Sequence, residues 1–181
     1  MNFFQRFLRG GAPTTPEYLI YQKILGQSRN VDFYGEGRFA DSYDGRLDSL
    51  TLHMAIVMDA ARKLGGEDKQ SSEKAAEFSQ SLFDVMVKDF DTALREEGFT
   101  DAGVKRRIKP MIGRFYARLK EYTESLSDAG EIQKTAMSEK DGPKDVEFSQ
   151  LLASYAMNFH EQLKNGKIDR IYAGSFDFPS I

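Results

Sequence analysis

Ser42-Tyr-Asp-Gly-Arg-Leu-Asp-Ser-Leu-Thr-Leu-His-Met-Ala-Ile-Val-Met-Asp-Ala-Ala-Arg-Lys-Leu64 decides the fold. Leu47, Leu50, His53, Met54, Val57, Ala61 and Leu64 recur at threes and fours, the spacing of one face of an α-helix. From Ser49 to Met58 the chain carries no acidic or basic residue apart from the neutral His53. A helix that is apolar on nearly every face must be shielded on nearly every face, so it belongs at the centre of a helical protein. It is too short to cross a membrane, which takes roughly 20 apolar residues. Gly65-Gly66 stops it.

The flanks read as further helices. Thr15-Pro16 is a cap followed by proline at the first helical position, and Leu19, Ile20 and Ile24 carry a helix to about Gly26. Asn30 to Asp41 lacks helical spacing and reads as a structured loop. Beyond the glycine pair, Phe78, Leu82, Val85, Met86, Phe90 and Leu94 form the stripe of a helix over about Ser71 to Glu97. Thr100 caps the next, whose stripe (Val104, Ile108, Met111, Phe115, Leu119, Tyr122) keeps phase across Pro110, which predicts one kinked helix. Residues 123–145 turn polar and read as a connector with a weak helical turn around Ile132 to Met137. A last helix runs from about Lys144 to Asn165, and Ile168 to Ile181 is an irregular aromatic tail. The expectation is an all-α fold, a single compact helical domain of five or six helices over residues 15–181. The helix over 42–64 is its centre, and residues 1–14 form a flexible arm.

Composition narrows the chemistry. The chain has 181 residues, with 14 Phe and 8 Tyr, enough aromatic bulk for a core. Its 25 basic residues are outnumbered by 28 acidic ones, a net charge of −3 that argues against direct DNA binding. With no cysteine and only two histidines, disulfides, thiolate metal sites and cysteine nucleophiles are excluded. His53 and His160 lack metal-ligand spacing and read as structural, His53 bonding a buried carbonyl or carboxylate. The N-terminus has no continuous apolar stretch and reads as cytoplasmic rather than secreted. Phe3, Phe4, Phe7 and Leu8 alternate with Arg6 and Arg9, a pattern that suits a lipid surface, a partner or one docked turn.

Three constellations of residues could carry chemistry or binding. Gly35-Glu-Gly37-Arg-Phe-Ala40 fits a dinucleotide fingerprint in letters only, since that motif needs a strand before it and a βαβ unit around it. Arg38, Asp41, Asp44, Arg46, Asp48 and His53 form a dense charged cluster. Its structural reading is an ion-pair network pinning the 30–41 loop to the start of the central helix. Its catalytic reading is a small helical enzyme using Arg38, Asp41, Asp44, Arg46 and His53 for acid–base chemistry. Charge is also segregated: residues 104–120 hold seven bases and no acid. Arg107, Arg114 and Arg118 fall along one border of the apolar stripe, with Lys105, Lys109 and Lys120 along the other. Such borders dock on an acidic partner or anionic lipid, or pair with the acidic helix before them. Arg107, Arg114, Arg118, Lys105 and Lys109 are thus the candidate partner-binding residues, with at least two of the three arginines expected to be exposed and unpaired.

Phe33-Tyr34-Gly-Glu-Gly-Arg38, Asp41-Ser-Tyr-Asp-Gly-Arg-Leu-Asp48 and Leu52-His53 resemble the signature block of the ubiquinol–cytochrome c chaperone family. Leu82-Phe-Asp-Val-Met86, Asp91-Thr-Ala-Leu-Arg-Glu-Glu-Gly98, Val104-Lys-Arg-Arg-Ile-Lys109 and Phe115-Tyr116 follow in the family's order, so the resemblance covers about residues 18–165. It implies a non-enzymatic, bacterial assembly factor for the ubiquinol-oxidising respiratory complex, complex III. The implied client is cytochrome b or its nascent chain, with a small partner protein and the ribosome as further contacts. The implied position is cytoplasmic, including the periphery of the inner face of the cytoplasmic membrane. The resemblance brings no catalytic residues, cofactor or metal. An exposed apolar groove with basic borders would support this reading, and a polar pocket with converging charged groups the enzyme.

Overall fold

The computed structural model describes residues 15–181, so the arm expected over 1–14 lies outside the described residues. Seven α-helices occur among them: α1 Pro16–Ser28, α2 Tyr43–Gly65, α3 Lys69–Glu96, α4 Asp101–Ser125, α5 Ala129–Ser138, α6 Val146–Lys164 and α7 Ile168–Tyr172. The fold is all-α, and among the described residues the only β-type pairing is an isolated bridge between Tyr34 and Phe39.

The cap residues start the helices where the sequence places them. The Thr15 hydroxyl accepts from the Tyr18 amide, and the Ser42 hydroxyl accepts from the Gly45 amide at 3.1 Å. The α4 helix runs unbroken through Pro110. Seven helices exceed the expected five or six, because two elements add to the five that the stripes mark. The connector contains a ten-residue helix, α5, capped by Asp128 and seated by buried Ile132 and Ala136. So short an apolar stripe gives little periodicity, and packing against α6 rather than propensity holds the helix. The tail begins with α7 and then lays Phe176 and Phe178 over Phe159, the latter two rings 4.9 Å apart. Lys23 secures this tail by donating from Nζ to the carbonyls of Gly174 and Phe176.

The α2 helix is the hub. It touches α1, α3, α4, α6 and α7, and is buried at nearly every position from Leu47 to Ala61. Leu50, Met54, Val57, Met86, Phe115 and Leu152 are buried around it. Phe83, by contrast, is only half-buried.

The 30–41 loop is fixed chiefly by close backbone approach. Gly37, at φ +74°, accepts at its carbonyl from the amides of Lys144 and Asp145, both at 2.8 Å. A Cβ on Gly37 would sit 2.7 Å from the Asp145 Cβ, and one on Gly45 would sit 2.1 Å from the Ala40 oxygen. These two glycines let the loop cross the α5–α6 connection and the first turn of α2. Gly35–Ala40 therefore opens neither a strand nor a phosphate-binding helix, so the dinucleotide reading is dropped.

Candidate functional site

The two borders of α4 have separate fates. Asp44 and Asp48 stand one turn apart on α2, as Arg114 and Arg118 do on α4. Arg114 pairs with Asp44 at 2.9 Å and with Glu139 at 2.8 Å. Arg118, 2% exposed, grips Asp48 with a fork, Nε to Oδ1 at 2.7 Å and Nη2 to Oδ2 at 3.3 Å. It also donates to Glu121 and to the Thr135 carbonyl, while the Tyr122 hydroxyl donates to Asp48 at 3.1 Å. Burial pushes the Asp48 carboxyl up, against the pull of Arg118. The expectation that two of these arginines are exposed and unpaired is therefore corrected. Arg107 is exposed, over the Phe99 ring, but Arg114 and Arg118 bolt α4 to α2. A guanidinium fork suits a buried carboxylate better than an ammonium does, which explains why the arginine border turned inward. Lys105, Lys109 and Lys120 stay exposed on the other side.

Both histidines are buried between α2 and α6. The His53 Nδ1–H donates to the Ser49 carbonyl at 2.7 Å, which leaves Nε2 to accept from the Tyr155 hydroxyl at 2.8 Å. Burial lowers the imidazole to about 4, so the ring is neutral at pH 7. His160 Nε2 contacts the Asp59 carboxylate at 2.8 Å. Burial works to raise Asp59, but His160, Lys63 and Arg62 outweigh it and hold this carboxyl well below its usual range. The Asp59–His160 link was not anticipated; an acid six residues beyond His53 on one helix and a second histidine are too sparse a signal.

Beside Asp59, α2, α3 and α4 leave an open groove of about 430 Å³. Met58 forms its floor, Ala75, Ala76 and Phe83 one wall, and Tyr116 and Leu119 the other. The Phe83 ring bridges the walls, its centroid 5.7 Å from that of Phe115 and 4.9 Å from that of Tyr116. Phe83 is thus half-buried because it faces the groove. Tyr116, 48% exposed, stands on the lip. Helical spacing places Lys109 two turns before Tyr116 and Lys120 one turn after it, so a lysine row borders this wall. Ser72, Ser79, Gln80, Arg62 and Thr123 add polar contacts at the edges.

The charged cluster is dispersed. Arg46 pairs with Asp41 at 2.6 Å, both more than half exposed. Asp44 and Asp48 turn to the α4 arginines. Arg38 donates to the Asp32 carbonyl and lies over the Phe148 ring. His53 is sealed in the core. The five groups of the catalytic reading do not converge on one cavity.

A model of the ubiquinol–cytochrome C chaperone family matches residues 36–178. The chain belongs to this family. A solved structure described as the Cbp3 homolog from Brucella abortus has the same fold, with a TM-score of 0.72 at 23% identity, covering 99% of this chain and 97% of that one. Compared with curated proteins by sequence, the chain matches none. Among the described residues of this family member no helix is long and apolar enough to cross a membrane. An apolar groove with basic borders was expected, but its lining was not: Phe83, Ala75, Ala76 and Met58 all look like ordinary core letters.

Proposed function

We propose that this chaperone binds newly made cytochrome b during assembly of the ubiquinol–cytochrome c reductase complex, and that the α3–α4 groove takes an apolar segment of that client. The observation that carries the reading is the aromatic groove itself, with Tyr116 exposed on its lip and Phe83 only half-buried in its wall. A membrane segment not yet inserted needs apolar shelter, and a groove with polar edges shields it while remaining soluble. Lys105, Lys109 and Lys120 border the same helix face, where they suit acidic loops of the client or anionic lipid headgroups. Work at the cytoplasmic face of the membrane, with a small partner protein or the ribosome delivering the client, fits this arrangement. The dispersal of the charged cluster favours a non-enzymatic role, without cofactor.

The test is an Ala76→Asp/Tyr116→Asp variant. Both positions are exposed, so circular dichroism should be unchanged. Recovery of cytochrome b and of the assembled complex should fall severalfold. Normal amounts of both in cells carrying a folded variant would reject the groove as the client site.

A further inference from the structure

A second cavity, about 440 Å³, opens on the other side of the 30–41 loop. It is lined by Arg29 from the end of α1, Val31, Tyr34, Gly35 and Asp41 from the loop, and Arg46 from the first turn of α2. We infer that this cavity binds a phosphate group carried on a small organic body.

Two guanidiniums from different elements face one cavity. Among the described residues Arg29 has no carboxylate within salt-bridge distance, its charge reaching Asp89 only at longer range, and Arg46 engages Asp41 through Nε, which leaves its two Nη groups to the cavity. Both charges reach the Tyr34 phenol: burial raises it and Asp41 adds to that, while Ser49, Arg46 and Arg29 act to lower it. The phenol itself donates to the Ser28 carbonyl at 2.6 Å, which anchors its ring in the cavity lining.

The number of forks selects the ligand. One carboxylate is satisfied by one guanidinium, whereas a tetrahedral phosphate has enough oxygens for two forks approaching from different directions. The volume lies within the range of small-molecule sites, so more than a bare ion fits. Val31, 79% exposed, offers an apolar lip for the organic part. The phosphate could belong to a soluble monoester or to a phospholipid headgroup. Asp41 stands at the mouth and competes for Arg46, which makes the site self-limiting: neutralising Asp41 should strengthen binding rather than weaken it. This site lies apart from the client groove and does not depend on the chaperone reading.

The experiment titrates the full chain with glycerol 3-phosphate, following the Gly35 and Tyr34 amide resonances. In parallel the chain is mixed with phosphatidylcholine vesicles with or without phosphatidic acid. Saturable binding is expected with at least one probe: the soluble ester alone indicates a metabolite, the vesicles alone a headgroup. Arg29→Gln and Arg46→Gln, both at exposed positions, should each weaken it about tenfold, the worth of one charge-assisted bond. Asp41→Asn should tighten it, and Arg106→Gln on distant α4 should leave it unchanged. The inference is overturned if neither probe saturates, if Arg106→Gln weakens binding as much as the cavity variants, or if Asp41→Asn weakens it.

Discussion

Taking Arg118 out of water is tolerable only because every face of its guanidinium meets an acceptor: the Asp48 carboxylate, Glu121, Ser138 and the Thr135 carbonyl. Removing one partner of such a pair leaves the other charge buried alone, which costs about 3–5 kcal/mol. Arg118→Met should therefore lower stability by about that amount in urea unfolding, and Asp48→Asn combined with Arg118→Met should recover a large part of it. His53 supplies a second residue-scale prediction. Its folded pKa of about 4 lies below the ordinary 6.5, so the unfolded chain binds the proton first as pH falls. This group's contribution is intact above about pH 6.5, declines between about 6.5 and 4, and changes no further below that. The loss should total about 3 kcal/mol, at 1.36 kcal/mol per pKa unit. It is measured as the difference in denaturant stability between pH 7 and pH 4.5 for the native chain and for His53→Gln. The variant should be less stable at pH 7, because the Tyr155 hydroxyl loses its acceptor, but flatter with pH.

Elements tell how far letters alone reach. The helices α1, α2, α3, α4 and α6 announce themselves through caps and stripes, since Thr15-Pro16, Ser42 and Thr100 sit where a turn of apolar spacing begins. The α5 helix does not, because Ile132 and Ala136 are its only fully buried positions and its helicity is set by contact with α6. The fate of the α4 borders was legible in principle. Acids at i, i+4 on one helix and arginines at i, i+4 on another are a matched ladder, a signal stronger than the charge-run argument that placed Arg114 and Arg118 outside. The loop crossing yields a prediction of its own. Gly45→Ala puts a methyl 2.1 Å from the Ala40 oxygen, inside any permissible contact, so loop and helix must part. Thermal unfolding should report a loss of about 1–3 kcal/mol, the usual effect of overpacking, although alanine is the better helix former. Gly113→Ala on α4, where nothing lies within 4 Å of the new methyl, should be stabilising or neutral.

On the scale of the molecule, one central helix organises two functions of its neighbours. The acids on the first turns of α2 lock α4 in place, and Met58, further along the same helix, floors the groove that α4 and α3 frame. The lock turns the arginines inward and so leaves the lysine row and Tyr116 outward. Loss of the Arg114–Asp44 and Arg118–Asp48 pairs should thus loosen the groove wall before the whole fold, seen as faster amide exchange in α4 than in α6. The lining of the apolar groove could not be read from the sequence, because its walls come from three helices whose spacing in space no pattern of letters records. The central claim, that this groove receives the client, is tested most directly by a photo-crosslinking amino acid placed at Tyr116 and, separately, at Leu151, an equally exposed apolar position on α6. In cells synthesising cytochrome b, the Tyr116 probe should capture that protein and the Leu151 probe should not. Capture from Leu151 alone, or equally from both, would contradict the account.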